Sequence, residues 1–381
     1  MKNPFRFGKE VSGYQFYDRR SDAATLRRKM LDGSANVVLF APRRYGKTSL
    51  VLKVLKELSV KDGLRSVVFD MTKVQTLERF CRDYANAVYA AVGGGEAIAR
   101  RVLDCLAHLN PEIVLSVGGA MSIKLNLDGG LTTESVAEVL DLPERLAEAR
   151  GMPLVVAFDE FQEVAELSRE FALEKIFRSC IQAHQRVRYV FLGSKAHLMK
   201  RMFGEPSRPF YQSAFPMPLG KPPREESLEF LVSRFADAGQ TLGAAEAELI
   251  VDASANIPYY LQEVASETFE NLPQDGGRPV ARDDVEQAVA GIVARNSELY
   301  EVRLAGFSSA RKALVSALSF GPIAVFDEAC RRKFSLPVTS TLHTALKELV
   351  EDGVVESSPA GYCLGDPFLG RYLQTSPFRL F

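Results

Sequence analysis

The segment that most limits the possible folds of this chain is NVVLFAPRRYGKTSLVLKVL, residues 36–55. An apolar run typical of a buried strand comes first, followed by a short basic loop and an amphipathic stretch of helical periodicity. A loop that joins a strand to a helix and ends in Gly-Lys-Thr places several backbone N–H groups at the helix N-terminus, where they attract phosphate. The segment therefore predicts a phosphate-binding loop.

Composition and charge exclude several other classes of protein. The chain has 381 residues, of which 46% are hydrophobic and 25% charged, and its formal net charge is −1, so no overall charge attracts nucleic acid or an anionic membrane. The five cysteines and four histidines lack the spacing of a disulfide framework or a metal site. No apolar run approaches the roughly 20 residues of a membrane span, and the first residues lack the apolar centre of a signal peptide. We therefore predict a cytoplasmic protein with no membrane partner.

Strand-like and helix-like patterns alternate through the first 220 residues, which favours a parallel sheet covered by helices on both faces. The predicted strands are Val37–Phe40, Ser66–Asp70, Leu154–Phe158, Tyr189–Gly193 and Phe215–Leu219. The amphipathic segments among them, predicted as helices, include Leu50–Leu58, Leu77–Val92, Ser135–Arg150 and Phe171–Gln185. Residues 113–131 alternate with period two around Gly118-Gly119 and predict an inserted β-hairpin.

The pattern changes after Pro222-Pro223. Residues 224–300 have helical periodicity with one loop at 272–279, and from Phe307 three short helices precede a two-stranded wing, which is the winged-helix arrangement. We therefore predict the α/β fold class, with a three-layer parallel-sheet core of the P-loop NTPase type, an all-α lid and a C-terminal winged-helix domain. The predicted bounds are 1–34 for an N-terminal segment that flanks the nucleotide, 35–222 for the core, 223–303 for the lid and 304–381 for the winged helix.

The loop supplies most of the residues predicted to bind ATP or ADP. Gly46 permits a conformation or an approach that a side chain would forbid, Lys47 brings its charge to the β- and γ-phosphates, and Thr48 offers its hydroxyl to Mg²⁺. Ala41 stands where the pattern usually has its first glycine, and a negative φ would tolerate it. The full predicted set in the loop is Ala41, Pro42, Arg43, Arg44, Tyr45, Gly46, Lys47, Thr48 and Ser49.

The two arginines of the loop have three open roles. Arg43 and Arg44 would contact a phosphate of the bound nucleotide, complete the site of a neighbouring molecule, or simply be solvated.

Two later strands end in polar residues that suit ATP hydrolysis. PLVVAFDEF, residues 153–161, ends in Asp159, predicted to hold Mg²⁺ directly or through water, and Glu160, predicted to polarise the attacking water. YVFLGSK, residues 189–195, ends in Ser194, predicted to sense the γ-phosphate, with Lys195 as the alternative. The predicted catalytic residues are therefore Glu160, Lys47 and Ser194, and the predicted metal ligands are Thr48 and Asp159.

Together these motifs resemble the archaeal-type ATPases of the STAND group within the AAA+ class, and the resemblance extends over almost the whole chain. PRRYGKTSL is similar to that family's phosphate loop. YQFYDRRSDAATL, residues 14–26, resembles its N-terminal box, with Asp18 in place of a glycine and Arg20 in place of a glutamate. The resemblance implies that Arg19 lies near the adenine and phosphates.

Three further elements resemble the same family. SRPFYQSAF, residues 207–215, is similar to an element that ends in Tyr-Gly-Arg, but Ser213 occupies the arginine position. ANIPYYLQEVA, residues 255–265, is similar to a Gly-x-Pro element with Asn256 in place of the glycine, and the resemblance implies that Pro258 contacts the nucleotide from the lid. YCLGDPFLGRYL, residues 362–373, is similar to the end of the family's winged-helix domain.

The resemblance implies a Mg²⁺-dependent ATPase of low turnover that acts as a conformational switch for a protein partner. Two alternatives are a DNA-binding ATPase of the replication-initiator type and a nucleotide-binding scaffold with little turnover. Residues 305–381 contain eight Lys or Arg and seven Asp or Glu, a weak electrostatic basis for binding duplex DNA, so DNA and protein contacts are both open for the winged helix. The terminal FRLF is predicted to dock on the body of the protein or on a partner.

Overall fold

The computed structural model describes residues 2–8, 16, 19–33, 35–93, 95–115, 121–126, 131–167, 172–273 and 278–375. The chain divides into two compact units. We call Arg20–Ala41 with Lys47–Leu219 the sheet unit, and Met1–Arg19 with Pro42–Gly46 and Gly220–Phe381 the helical unit. The middle of the predicted phosphate loop thus belongs to the helical unit, whereas its first and last residues belong to the sheet unit. The four domain boundaries proposed above stay predictions.

The described residues form nine strands, sixteen α-helices and two 3-10 helices, Met71–Lys73 and Ala107–Leu109. The strands are β1 (Val37–Phe40), β2 (Arg65–Asp70), β3 (Pro111–Leu115), β4 (Met121–Leu125), β5 (Leu154–Asp159), β6 (Val187–Gly193), β7 (Phe215–Pro218), β8 (Val355–Ser358) and β9 (Gly361–Leu364). The helices of the sheet unit are α1 (Arg20–Asp32), α2 (Lys47–Asp62), α3 (Leu77–Ala91), α4 (Glu96–Cys105), α5 (Thr133–Arg150), α6 (Glu163–Leu167), α7 (Leu173–Ala183) and α8 (Ala196–Gly204). The helices of the helical unit are α9 (Arg224–Asp237), α10 (Ala244–Ala253), α11 (Pro258–Glu270), α12 (Arg282–Ala305), α13 (Ser309–Leu318), α14 (Glu328–Lys333), α15 (Thr339–Glu351) and α16 (Pro367–Thr375).

The sheet unit is built on a five-stranded sheet with the order β2-β5-β6-β1-β7. Every adjacent pair in this sheet is parallel. The five predicted strands and the α/β fold class are confirmed, and the strand ends differ from the prediction by no more than two residues. Strand β6 lies between β1 and β5, so the segments that follow these three strands meet at one edge of the sheet.

Aromatic side chains pack around the end of β5. The ring of Phe158 is fully buried, and its centroid lies 5.5 Å from that of Tyr84, 5.6 Å from Phe177 and 5.8 Å from Phe161. Because interlocking rings of this size leave little free volume, the end of β5 is held firmly in place. Asp159, the next residue, therefore starts from a well-defined backbone position.

Two parts of the sheet unit differ from the simplest strand–helix alternation. An antiparallel pair, β3 with β4, occupies the stretch where a hairpin is predicted, with Pro111 opposite Leu125, and the predicted turn at Gly118-Gly119 lies outside the described residues. Helix α4 is not among the predicted helices. Its buried face consists only of Ile98, Ala99 and Val102, which is a short apolar stripe in the sequence.

The helical unit has the predicted order of elements. Helices α9 to α12 come first, followed by α13, α14 and α15 and by the antiparallel pair β8–β9. Ile323 adds a bridge to Tyr362 beside this pair. Helix α16 packs against α12, and the rings of Tyr300 and Tyr372 lie 5.4 Å apart. Among the described residues, no helix combines the length and the apolar character that crossing a membrane requires.

Candidate functional site

The loop starts with Ala41, which follows β1 directly. Its backbone N–H donates to the carbonyl of Gly193 at 3.3 Å, and its side chain is buried. The described residues with positive φ do not include Ala41. The conformation at this position is therefore one that alanine adopts as readily as glycine, which explains how the chain dispenses with the first glycine of the pattern.

Two loop residues have a left-handed backbone. Gly46 has φ 82° and Arg44 has φ 72°. No described atom lies within 4 Å of the place where a Cβ of residue 46 would stand, so glycine is needed there for its backbone conformation. Arg44 has no such freedom, and its conformation requires support from its neighbours.

Helix α2 begins at Lys47, directly after the loop. The Lys47 side chain is buried, and its Nζ donates to the carbonyl of Ala41 at 3.0 Å. The Thr48 hydroxyl donates to Oδ2 of Asp159 at 2.7 Å. Two side chains from distant parts of the sequence therefore meet where β1 and β5 end.

The two acids that follow β5 have different environments. Burial raises the pKa of Asp159 above its ordinary value; the hydrogen bond from Thr48 opposes this effect and the negative charge of Glu160 adds to it. For Glu160, burial also favours the neutral form, but hydrogen bonds from Ser194 and Gln162 and the charge of Lys47 outweigh it and hold its pKa below the ordinary value. Glu160 is thus ionised at neutral pH.

Glu160 is held by three donors. Its Oε2 accepts hydrogen bonds from the Ser194 hydroxyl at 2.6 Å, from the Ser194 N–H at 3.1 Å and from Nε2 of Gln162 at 2.6 Å. The residue itself has φ 53°, a conformation unusual for a side chain with a Cβ. Backbone strain of this kind persists where the surrounding contacts hold the residue in place, and it is frequent at functional sites.

The structure distinguishes Ser194 from Lys195. Ser194 contacts Glu160, whereas Nζ of Lys195 lies 3.4 Å from a carboxylate oxygen of Glu163. A Cβ at Gly193 would collide with the side chains of Met199 and Gln162. Because glycine has no side chain, the end of β6 packs closely against these two residues.

Sequence reasoning missed Gln162. Its side chain is only 2% exposed and bonds to both Glu160 and Glu163. An amide two residues after the acidic pair, in FDEFQEV, is the sequence signal that could have identified it.

The predicted residues of the helical unit form a second group. Arg19 is buried, and its Nη2 donates to the carbonyls of Tyr45 and Gly220, each at 2.8 Å. Arg43 is exposed. Arg44 and Tyr45 contact side chains of α11 and of the region around β8 and β9.

Asn256 and Ser213, two residues that differ from the family pattern, make hydrogen bonds with nearby residues. Asn256 has φ 55°, a conformation that asparagine tolerates better than most residues. Its side chain accepts a hydrogen bond from Ser227 at 2.6 Å and donates to the carbonyl of Pro222 at 2.8 Å, next to Pro258 at the start of α11. The Ser213 hydroxyl donates to the carbonyl of Phe210 at 2.7 Å.

Two of the remaining positions lie in helices: Ser49 is buried in α2, and Arg20 is the first residue of α1. Asp18 lies outside the described residues.

The candidate metal site consists of oxygen atoms from two side chains. Within the described part of the chain, no three His, Cys, Asp or Glu side chains are grouped to hold a metal ion. The Thr48 hydroxyl and the Asp159 carboxylate, the two predicted metal ligands, place two oxygen atoms in contact with each other. Such a set fits Mg²⁺, which takes few protein ligands and completes its shell with water and substrate phosphates.

Comparison with known proteins identifies the fold. Neither a family model nor the sequence of a characterised protein matches the chain. A Walker-type ATPase of Pyrococcus abyssi is similar in structure, with a TM-score of 0.66 and 18% identity over 97% of this chain and 99% of that chain. The ORC2 protein of Aeropyrum pernix, in ADPNP–ADP complexes, gives a TM-score of 0.59 and 17% identity over 94% of this chain and 93% of that chain.

The ORC1 protein of Aeropyrum pernix, in complex with DNA, gives a TM-score of 0.50 and 15% identity over 97% of this chain and 94% of that chain. These identities are low, so the similarity concerns the fold alone: a parallel sheet covered by helices, shared with the Walker-type ATPase and the ORC proteins.

Proposed function

We propose that this protein is a cytoplasmic, Mg²⁺-dependent ATPase of low turnover, and that ATP and ADP control its conformation towards a protein partner. The observation that carries the proposal is the contact between Thr48 and Asp159, beside the contact between Glu160 and Ser194. A phosphate loop, a metal ligand and a candidate base thereby occupy one edge of the sheet, which is the edge where ligands bind in parallel α/β folds.

Phosphate binding is assigned to the start of α2. The first N–H groups of a helix have no partners within it and carry partial positive charge, so they bind phosphate oxygens. Lys47 adds a full charge, and its Nζ donates to the carbonyl of Ala41, at the start of the loop. A hydrogen bond from the Lys47 ammonium to a phosphate oxygen joins two charged groups and is therefore stronger than one to a neutral acceptor.

The metal ion would be held by Thr48 and Asp159. When bound, Mg²⁺ neutralises phosphate charge and helps to stabilise the charge that develops during phosphoryl transfer. The raised pKa of Asp159 results mainly from burial, so a positive ion at this carboxylate would replace lost hydration.

Glu160 is the proposed residue that orients the attacking water. Its lowered pKa keeps it ionised but makes it a weak base, and Oε2 is already engaged by Ser194 and Gln162. The engagement of Oε2 supports low turnover, because the hydrogen bonds from Ser194 and Gln162 compete with the attacking water for this oxygen. Ser194 bonds directly to Glu160, which supports the proposal that it responds to the γ-phosphate.

A protein partner is favoured by the surface of the last 70 residues of the described chain. Several basic side chains there pair with acids, as in Arg332 with Glu328 and Arg311 with Asp352. Large apolar side chains are exposed nearby, namely Phe320, Phe326 and Val338. Paired charges reduce attraction to phosphate backbones, whereas exposed apolar side chains are common at protein interfaces.

Duplex DNA is the second candidate partner. The likeness to an ORC1 protein that was solved in complex with DNA supports it, as does the order of α13, α14, α15 and the β8–β9 wing. The resemblance to the STAND group favours the first candidate, and through it Arg19 and Pro258 stay predicted nucleotide contacts.

Nucleotide affinity tests the central proposal. Calorimetric titration with ATP and Mg²⁺ should give affinity that falls about 10- to 150-fold in Lys47→Ala, because a charged hydrogen bond contributes roughly 1.5–3 kcal/mol. Lys56→Ala, an exposed lysine of the same helix, is the matched control and should bind as the wild type does. Equal affinity in Lys47→Ala and the wild type would contradict the proposed site.

A further inference from the structure

A groove lies in the helical unit between α10, α12 and α16. Its volume is about 570 Å³. Apolar side chains from all three helices line it: Leu249, Ala253, Val285, Val289, Val293 and Tyr372. A concave and largely apolar site of this size suits a ligand with a few large apolar groups.

The groove follows one row of side chains on α12. Val285, Val289, Val293, Ser297 and Glu301 are spaced four residues apart, so they lie along one side of the helix. At about 1.5 Å per residue, the row is about 24 Å long. Its first three members are apolar and its last two are polar, so the groove has an apolar end and a polar end.

Small side chains explain the space in the groove. Ala290 and Ala294 of α12 also line it, and both are exposed. Ala253 of α10 is a third alanine in the lining. Because alanine occupies little volume, the three helices leave space between them that their own side chains do not fill. The groove can therefore accept large apolar side chains.

Helix α16 brings the chain to the polar end of the groove. The Tyr372 hydroxyl donates to Oε1 of Glu301 at 3.1 Å, and Thr375, one turn later, also lines the groove. Residues 376–381, with the sequence SPFRLF, follow directly and lie outside the described residues. Six extended residues span up to about 20 Å, whereas Glu301 and Val289 are about 18 Å apart along α12. Segment 376–381 is thus long enough to reach the apolar end.

Segment 376–381 carries the large apolar side chains that the groove can accept. Phe378, Leu380 and Phe381 are three of its six residues. Successive side chains of an extended chain alternate in direction, so Phe378 and Leu380 would share one side and Arg379 would take the other. A phenylalanine side chain buries roughly 150–250 Å², so this segment offers a large apolar area to the valines of α12.

Charge favours the same occupant. Two exposed acids and one base line the groove: Glu286, Glu301 and Arg371. Glu286 lies 3.6 Å from Arg282, but a pair this exposed contributes little. The lining thus carries one net negative charge, and Arg379 is the only charged residue of segment 376–381. Opposite charges at the edge of a site fix the orientation of a ligand more than they add affinity.

We propose that segment 376–381 of this chain binds in the groove. Phe378 packs near Val293 and Leu380 near Val289, and Arg379 faces the acids at the edge. The covalent link supplies an effective concentration in the millimolar range, which favours this segment over a free ligand of the same chemistry. The lining contains no residue of the phosphate loop, so the proposal does not depend on the proposed nucleotide site.

Photocrosslinking in the whole chain tests the proposal. With benzoylphenylalanine in place of Phe378, mass spectrometry of the monomer should find crosslinks from residue 378 to peptides of α10 and α12. Ala294→Arg places a long charged side chain in the groove and should lower the yield of these crosslinks about fivefold or more. Gln287→Arg makes the same change of charge at an exposed position of α12 outside the lining, and it should leave the yield unchanged.

A labelled SPFRLF peptide measures whether the groove is already occupied. Fluorescence anisotropy, with protein up to about 1 mM to match the effective concentration of the linked segment, should show binding to the whole chain with Phe378→Ser and Leu380→Ser. Binding to the wild type should be about fivefold weaker or more, because its own segment competes. The peptide SPSRSF is the control and should bind neither protein.

Several results would overturn the inference. Crosslinks found only between two molecules would make a second copy the occupant, and crosslinks elsewhere on the chain, or none, would place the segment outside the groove. An unchanged yield in Ala294→Arg would have the same meaning. Equal affinity of the peptide for the wild type and the double variant, or no binding to the variant at about 1 mM, would show that the groove does not hold segment 376–381.

Discussion

The hydroxyl of Thr48 lies 2.7 Å from a carboxylate oxygen of Asp159, although 111 residues separate them in sequence. Thr48 lies at the start of α2, just after β1, and Asp159 is the last residue of β5. Because β1, β6 and β5 are parallel, the ends of β1 and β5 lie at the same edge of the sheet, where the two side chains meet. Thr48 and Asp159, the two proposed metal ligands, therefore lie together at one edge of the sheet, and this pair leads to the first of four predictions.

Asp159→Asn should raise the Mg²⁺ concentration required for half-maximal ATP hydrolysis by about tenfold or more. Loss of even an outer-shell partner of a metal ion lowers metal affinity about 10- to 100-fold. The measurement is steady-state phosphate release across a Mg²⁺ titration. Asp83→Asn, an exposed acid of α3, is the control and should leave the titration unchanged. An Mg²⁺ response in Asp159→Asn equal to that of the wild type would remove Asp159 from the metal site.

Glu160→Gln should bind ATP about as tightly as the wild type but hydrolyse it about 10²- to 10⁴-fold more slowly, the usual contribution of a general base. Single-turnover hydrolysis, measured beside equilibrium binding, separates the two effects. Glu205→Gln provides the matched comparison, because Glu205 pairs with Arg201 and has no proposed part in the chemistry. Hydrolysis at the wild-type rate in Glu160→Gln would show that another group orients the water.

Phe158→Ala should lower the free energy of unfolding by about 3–5 kcal/mol, because it leaves a cavity among the packed rings behind Asp159. Urea denaturation, followed by circular dichroism, measures the change. Val68→Ala, at a partly exposed position in β2, should change the stability by less than about 1 kcal/mol. A loss below about 1 kcal/mol in Phe158→Ala would mean that this cluster contributes little to the stability of the sheet unit.

Duplex DNA should bind weakly, and only at low ionic strength. Residues 305–381 contain eight basic and seven acidic side chains, and Arg311 and Arg332 are paired with acids. Few phosphates are therefore neutralised, and the affinity should fall with a shallow dependence on salt. Fluorescence anisotropy from 50 to 200 mM salt measures it. Tight binding that persists at 200 mM salt would favour the DNA-dependent function over the protein partner.

Local sequence was enough to place most of the sheet unit. The strands β1, β5 and β6 are continuous apolar runs, and the loop between β1 and α2 contains Gly-Lys-Thr, so both are visible in short windows. Helix α4 was missed because its apolar stripe is short. The roles of Arg43 and Arg44 stayed open because exposure and side-chain partners are not encoded in short windows.

The sequence by itself determined which residue types stand at the ends of the strands: Asp159 and Glu160 after one, Ser194 after another, and Lys47 and Thr48 at the start of α2. It did so because strand and helix periodicity are local properties of the chain. Only the tertiary structure decided how those side chains pair. Gln162 bonds to Glu160, and Arg44 faces Asp366, because packing brings distant segments together and sets the direction of each side chain.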